Sequence, residues 1–319
     1  MIGISMGDAN GVGPEILLRA FQAGRLPGDF IVVGDLSALR KCDAMLDLRT
    51  PFNVLKDSAG FHGGAINIYD ANRLSGEDIT PGDIDRKVGE AALCYIKESA
   101  LLALKGEIQA IVTLPVNKES IRLTEKDFSG HTGYIADLCG IKNYTMMLVS
   151  DKLIVTHVST HLSLREAIDL VKKDRILDVI RLTHNATAKL RPQARIALAG
   201  LNPHAGENGA FGSEEIDEIE PAVMEARENG FDVSGPVPPD TVFHQAVNGK
   251  YDAVVCMYHD QGHIPLKMLD FEGGVNVTLG LPFTRTSVDH GTAYDIAYKG
   301  FASLTSFCKA FNLALELSS

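Results

Sequence analysis

The sequence predicts an α/β protein built from parallel βαβ units in layers. Three observations lead there. Short β-branched or apolar runs bounded by glycine or polar turns recur along the chain, and between them lie longer stretches in which apolar residues return every three or four positions. No repeat period, low-complexity tract or Pro/Ser-rich linker interrupts that alternation. Strands that alternate with helices reach their next partner by a crossover, which makes neighbouring strands parallel.

In chain order, the strand-like runs are Ile2 to Met6, Phe30 to Val33, Ala110 to Leu114, Ala194 to Ala199, Ala253 to Met257 and Val275 to Leu279. Helical periodicity marks Val88 to Leu104, Arg175 to Leu190 and Ser213 to Asn229. The first strand runs into a glycine-rich loop, Gly7 to Glu15, in which Pro14 suits the first turn of a following helix because its missing N–H would be unpaired there anyway. One segment breaks the alternation. Tyr144 to Val149 and Leu153 to Ser159, joined by Ser150-Asp151-Lys152, read as an antiparallel hairpin, either an arm for subunit contact or an edge hairpin of one domain.

Composition excludes several functions. The 319 residues carry 41 Asp plus Glu against 30 Lys plus Arg, a formal charge of −11, which opposes a nucleic-acid surface or a polybasic membrane patch. Hydrophobic and charged fractions of 45% and 22% are globular values, and the length suffices for two domains or one large one. No apolar run approaches the roughly 20 residues of a membrane helix, and the first residues show no secretory signal. Five well-spaced cysteines (42, 94, 139, 256 and 308) without a CxxC pair suit reduced, buried thiols of a cytoplasmic protein.

The glycine loop has neither GxGxxG nor lysine-bearing P-loop spacing, so it specifies neither a Rossmann site nor an NTPase and serves equally as a plain strand-to-helix turn. Nine of ten histidines lie at or after position 131, several in loops beside Gly, Pro or Asp. Such loops at strand ends are where α/β active sites form. The HxxxH pairs His157/His161 and His259/His263 lack the glutamate of a zinc protease, and the first reads as strand, so any metal has to be assembled from distant segments. From 235 to 300, Asp240 is either a helix cap or a site carboxylate. Lys267, Asn276 and Arg285 either hold an anionic substrate together or, for the two cations, stand as solvated surface groups.

Five motifs then go beyond generic reading: Gly7-Asp8 with Gly11-Val12-Gly13-Pro14-Glu15, Gly130-His131-Thr132-Gly133, Gly200-Leu201-Asn202-Pro203-His204-Ala205-Gly206-Glu207, Tyr258-His259-Asp260-Gln261-Gly262, and Val275 to Pro282 continuing through Thr286 to Ala293. In this order, over essentially the whole chain, they resemble the 4-hydroxythreonine-4-phosphate dehydrogenase family. The resemblance implies two α/β/α domains similar to isocitrate and isopropylmalate dehydrogenases, with the active site in the interdomain cleft and near a homodimer interface. The domains would span 1–125 plus 275–319, on the cofactor side, and 126–274, with a dimerisation hairpin and the metal ligands. It also implies NAD-dependent oxidation of a secondary alcohol β to a carboxylate, loss of CO2, and one divalent metal ion per site.

Carried across motif by motif, the metal ligands would be His161, His204 and His259. Substrate contacts would fall to His131, Thr132, Lys267, Asn276 and Arg285, and the catalytic set would be Asp240, for proton handling or support of metal-bound water, with Lys267. Three imidazoles favour a transition ion such as zinc, with magnesium, manganese and cobalt as alternatives. Gly130-His131-Thr132 ahead of a helical pattern would add backbone N–H donors for a phosphate or carboxylate. The cofactor loop His290-Gly291-Thr292-Ala293-Tyr294-Asp295-Ile296 resembles the HGTA segment of the wider dehydrogenase group, and a carboxylate at Asp295 would accept from an adenosine ribose and repel a 2′-phosphate, favouring NAD over NADP.

Two departures matter. Asp8-Ala9-Asn10-Gly11 replaces the family's more usual Asp-Pro-Ala-Gly, and the stretches Gly262 to Lys267 and Phe271 to Gly274 look more like relatives acting on 4-phospho-D-threonate or 4-phospho-D-erythronate than like the vitamin B6 branch. The expected substrate is therefore a small 4-phosphorylated four-carbon 3-hydroxy acid, including 4-phosphohydroxy-L-threonine. The rivals are a dehydrogenase of an aromatic cis-dihydrodiol carboxylate and, from another class, a non-catalytic small-molecule binding protein. Neither a nucleic acid nor a membrane is an expected partner.

Overall fold

The structure is a computed structural model and describes residues 1–55 and 60–318. It falls into two compact units, Met1–Lys142 with Leu281–Ser319, and Asn143–Gly280. The boundaries expected from the sequence, near 125 and 274, differ: residues 126–142 belong to the first unit and residues 275–280 to the second.

The first unit runs β1 (Ile2–Ser5), α1 (Gly13–Gln22), β2 (Phe30–Gly34), α2 (Leu36–Leu46), β3 (Phe52–Val54), β4 (Ile66–Asp70), α3 (Arg86–Leu104), β5 (Ala110–Thr113), α4 (Lys118–Arg122) and α5 (His131–Leu138). The second continues with β6 (Thr145–Val149), β7 (Ile154–His157), α6 (Leu164–Asp169), α7 (Lys173–Leu190), β8 (Ile196–Ala199), α8 (Glu220–Glu228), β9 (Val233–Val237), α9 (Pro239–Val247), β10 (Ala253–Cys256), α10 (His259–Leu269) and β11 (Val275–Leu279). The chain returns to the first unit as β12 (Thr284–Val288) and α11 (Thr305–Ser318).

In the first unit the strand order is β3-β4-β2-β1-β5-β12, parallel throughout. The chain leaves β1 towards β2 on one side and later crosses back from β4 through α3 to β5 on the other side of β1, so the carboxyl end of β1 is a switch point, where open α/β sheets bind ligands. α3 packs on β1, β2 and β5, and α11 on β5 and β12. Asp85 caps α3 by accepting from the Val88 amide at 2.9 Å, and Pro14 stands in the first turn of α1 as expected.

In the second unit the order is β11-β6-β7-β10-β8-β9, with β6 antiparallel to both its neighbours and the remaining pairs parallel. The two-residue alternation of the strands divides the core between the two sheet faces. Ile196, Leu198 and Val255 pack with Ile176, Ile180 and Val223 of α7 and α8, whereas Ala197, Val254 and Cys256 pack with Val242 of α9 and Leu266 of α10.

Two expectations need correction, the place of the hairpin and the burial of the cysteines, and one helix carries an irregularity. The hairpin forms, yet it is neither an arm nor an edge: β6 lies between β11 and β7, β7 lies between β6 and β10, and only Val149 is not fully buried. Apolar residues on both faces of each strand suit that interior place, and the polar Thr145, Thr156 and His157 are buried with them. The helical stretch expected over 213–229 forms without a break from 214 to 228, with one π-helical turn over Glu215–Ile219 just ahead of Pro221, which has no N–H to return to the carbonyl one turn earlier. Among the cysteines, all free, Cys42, Cys256 and Cys308 are buried but Cys94 and Cys139 are only partly so. Cys94 sits off the buried stripe of α3 formed by Val88, Ala92, Tyr95 and Ser99, and Cys139 is the C-cap residue of α5.

Candidate active site

In each unit several candidate residues stand just beyond the carboxyl ends of parallel strands, whereas Arg285 and Asn276 lie near the starts of β12 and β11. In the first unit, β1 leads into Gly7 to Val12, β5 into Asn117 and Lys118, and β12 into His290 to Asp295. Arg285, on β12, is buried and donates through Nε and Nη2 to the Thr113 hydroxyl (3.1 and 2.6 Å) and through Nη1 to the Thr132 hydroxyl (3.1 Å). Burial lowers its pKa to about 9, a shift that marks a guanidinium short of solvation.

His131 opens α5 beside it. Its ring is partly open to solvent, but Nε2 is shut away without a hydrogen-bond partner. Burial first, then the charges of Arg285 and Lys118, hold its pKa well below the usual histidine range, so the imidazole is neutral at pH 7. A methyl group at Gly130 would lie 3.4 Å from Cε and 3.5 Å from Nζ of Lys118, which brings that ammonium to the same helix start. Arg285, Lys118, Thr132 and the N-terminus of α5 converge as donors, a setting suited to an anion. Lys118 was missed by sequence reasoning, since a lysine at the start of a short helix has no motif of its own.

The glycine loop has a definite task. Asp8, fully buried, accepts from the Asn10 amide and the Tyr294 hydroxyl, both at 2.8 Å, and burial raises its pKa to about 6 against those hydrogen bonds. The Val12 amide donates to the Thr292 carbonyl at 3.0 Å, and a methyl group at Gly11 would lie 2.9 Å from Thr292 Cβ. The Tyr298 hydroxyl reaches the Ala9 carbonyl at 2.6 Å. Asn10 accepts from the Thr80 amide and donates to the Asp83 carbonyl, so the departure Ala9-Asn10 ties this loop to the turn at 80–83. The loop is thus a bed for His290 to Asp295, in which His290, Gly291 and Asp295 remain exposed and Thr292 and Ala293 half-buried.

In the second unit, His161 follows β7, His204 follows β8 and His259 follows β10, three adjacent strands. His161 and His259 stand with ring centroids 5.6 Å apart. His259 and His263 share one face of α10 and stack at 3.5 Å, and His157 lies 4.7 Å from His263. The Nδ1 of His259 lies 2.6 Å from an Asp260 carboxylate oxygen, an arrangement that leaves Nε2 as the donor atom for a metal. His157 is enclosed and its pKa is pushed down to about 3, mainly by burial. Its Nδ1 lies 3.3 Å from the Met146 carbonyl.

His204 is exposed and lies beside Phe211, 6.3 Å between ring centroids. Among the described residues no group of three His, Cys, Asp or Glu side chains is arranged to hold a metal. The implied donor set nevertheless fits a transition ion in its chemistry, imidazoles with open coordination, and His161 and His259 are already paired.

The segment around His204 is unusual. His204, Ala205, Gly206, Glu207, Asn208 and Gly209 all have positive φ (54°, 54°, 78°, 43°, 55° and 89°). A left-handed run of this kind costs roughly 1–2 kcal/mol per non-glycine residue. Glu215, at the head of the π turn and 1% exposed, opposes that cost: Oε1 accepts from the Leu201 and Asn202 amides, both at 2.7 Å, and Oε2 from Asn202 Nδ2 at 2.9 Å. Gln261 joins the same loop to α10, donating to the Gly200 carbonyl and accepting from the Met257 amide, each at 2.7 Å. Neither Glu215 nor Gln261 was singled out from the sequence; a glutamate in an acidic stretch reads as solvated surface.

The other expected residues are placed as follows. Asp240 is exposed in the first turn of α9, where it complements the helix dipole; the cap position belongs to Pro238, which corrects the capping alternative. Lys267 is half-buried in the last turn of α10 with Nζ 5.4 Å from the Phe271 ring centroid. Asn276, on β11, has its Oδ1 buried without a partner.

Residues 28–314 match the family model described as "Pyridoxal phosphate biosynthetic protein PdxA". The chain belongs to the PdxA family. A D-threonate 4-phosphate dehydrogenase of Salmonella typhimurium is 44% identical over 99% of this chain and 98% of its own. The crystal structure of a 4-hydroxythreonine-4-phosphate dehydrogenase from Klebsiella pneumoniae is 43% identical, covers 100% of this chain and 99% of its own, and superposes with a TM-score of 0.90. A terephthalate 1,2-cis-dihydrodiol dehydrogenase from Burkholderia xenovorans is more distant, at 27% identity and a TM-score of 0.74 over 98% and 96% of the two chains. This PdxA-family chain is accordingly an oxidoreductase of the dehydrogenase type, with the α/β fold expected of it.

Proposed function

We propose that the protein catalyses NAD-dependent oxidative decarboxylation of a 4-phosphorylated four-carbon 3-hydroxy acid, 4-phospho-D-threonate or 4-phospho-D-erythronate ahead of 4-phosphohydroxy-L-threonine. The observation that carries this reading is the buried Arg285 guanidinium, which donates to the Thr113 and Thr132 hydroxyls beside Lys118 and a neutral His131. A doubly charged small anion would be held there by charge-assisted hydrogen bonds from Arg285 and Lys118. In this reading His131 and Thr132 orient the anion, Asn276 offers its buried amide oxygen to a substrate hydroxyl, and Lys267 and Asp240 handle protons.

His161, His204 and His259 would hold one divalent ion, zinc before magnesium, manganese or cobalt, which when bound supplies Lewis acidity for the hydroxyl and the ketone derived from it. His290 to Asp295 would hold NAD, the hydride acceptor, with the exposed Asp295 carboxylate disfavouring a 2′-phosphate. Loss of the carboxylate from the 3-keto acid then needs only a place for the electron pair at the neighbouring carbonyl. The functional unit in this reading is a homodimer, supported by exposed apolar side chains at Leu162, Leu164, Ile264, Met268 and Phe271. A cytoplasmic setting agrees with five free thiols, and no helix among the described residues is long and apolar enough to cross a membrane.

The deciding assay is NADH formation on the three phosphorylated acids side by side, with and without chelator, and with NADP in place of NAD. We expect turnover that is fastest with a sugar acid, lost with chelator and poor with NADP, and a fall in kcat/KM of about a hundredfold or more in Arg285→Ala. Undiminished turnover of the dephosphorylated acids, or of Arg285→Ala, overturns the assignment.

A further inference from the structure

We propose that Glu215 is a positioning residue for the metal site: its buried carboxylate locks the left-handed run 204–209 that presents the His204 imidazole. This rests on the reading of His204 as a metal ligand. Three kinds of observation support it. First, six successive residues with positive φ, four of them not glycine, will not persist unless surrounding contacts over-determine them. Second, Glu215 makes the contacts that do so at the root of the run, accepting from the Leu201 and Asn202 amides and from the Asn202 side chain while 1% exposed. Third, the glycines around it are fitted to that carboxylate: a methyl group at Gly206 would lie 2.8 Å from Glu215 Oε2, and one at Gly200 would lie 2.8 Å from Ala205 Cα and 3.2 Å from Glu215 Oε1.

The Glu215 side chain bonds to the loop's backbone and to Asn202, not to the imidazole. Its effect on a metal is therefore indirect. With the carboxylate gone, residues 204–208 relax to negative φ and the ring of His204 leaves its place, while His161, after β7, and His259, at the start of α10, keep theirs.

The test uses the full-length purified protein, chelator-treated and titrated with Co(II) alone, reading the Co(II) d–d absorption, the dissociation constant by chelator competition, and the thermal midpoint of the metal-free form. Glu215→Ala should weaken Co(II) binding tenfold or more and shift the spectrum towards that of His204→Ala. Glu215→Gln, which keeps one oxygen for both backbone amides, should recover most of the affinity. Ile180→Val, a core change in the same unit, should lower the metal-free midpoint without moving the Co(II) affinity. If Glu215→Ala does not fold, Gly206→Ala must give the weakened affinity and the same spectral shift. Wild-type Co(II) affinity in Glu215→Ala, or in Gly206→Ala, alongside a weakened His204→Ala overturns the role of Glu215; wild-type affinity in His204→Ala instead overturns the ligand reading beneath it.

Discussion

Asp8 is a carboxylic acid whose environment resists its charge. Its pKa rises from 3.8 to about 6 because burial outweighs the hydrogen bonds from Tyr294 and Asn10. The folded state therefore holds the proton more tightly than the unfolded chain does, so this group's contribution is complete below pH 3.8 and is lost as pH rises through about 6. Asp8→Asn, which stays neutral, should gain stability relative to the parent between pH 4 and pH 8, by about 3 kcal/mol at most. Urea denaturation at a series of pH values measures this, and a difference that stays flat across the range contradicts it. At this scale the sequence was legible where residues sit in motifs: His259 and His263 share a helix face as their spacing allowed, and Arg285 is the buried cation of its cluster. It was silent on Lys118 and Glu215, whose importance comes from what surrounds them, a helix start contributed by another segment and a pair of backbone amides fourteen and thirteen positions away.

Among the elements, α10 shows how a helix is held against its sheet. A methyl group at Gly262 would come within 2.6 Å of His157 Nε2 and 2.9 Å of Cys256 Sγ, both fully buried, so nothing there can yield easily. Gly262→Ala should push α10 outward and cost about 1–3 kcal/mol, with His259 displaced along with it. A thermal midpoint equal to the parent's would show that the helix has more room than its contacts indicate. All nine strand and helix segments expected appear with ends shifted by a few residues at most, because apolar periodicity reports burial directly. Within 213–229 the π turn ahead of Pro221 is a detail that periodicity does not weigh. The hairpin shows a limit: pairing was readable from the tight turn, whereas its interior place depends on β10 and β11, far later in the chain.

At the scale of the whole molecule, the net charge of −11 and the cation cluster around Arg285 are compatible because they act over different distances: salt screens a surface charge within about 8–10 Å, while a buried guanidinium meets only its neighbours. The outer face of α10 leads to the remaining prediction. Ile264 is 60% exposed, Met268 82% and Phe271 75%, with Leu162 and Leu164 also open, which is a costly arrangement for an isolated chain. Light scattering should give twice the mass of one chain, and Ile264→Asp with Met268→Asp should halve it; a parent protein that elutes as a monomer removes this surface as the contact. Two units were allowed by the chain's length and implied by the family resemblance, whereas their boundaries, at 142/143 and 280/281, fall away from those expected. The left-handed run at 204–209 has a consequence for the history of the chain. Few side chains tolerate that backbone, glycine first, then asparagine, aspartate and histidine, and branching at Cβ is excluded. This stretch is thus written in a much smaller alphabet than the helices around it, and a descendant that spells it with valine, isoleucine or threonine will have kept the architecture while giving up what the loop was for.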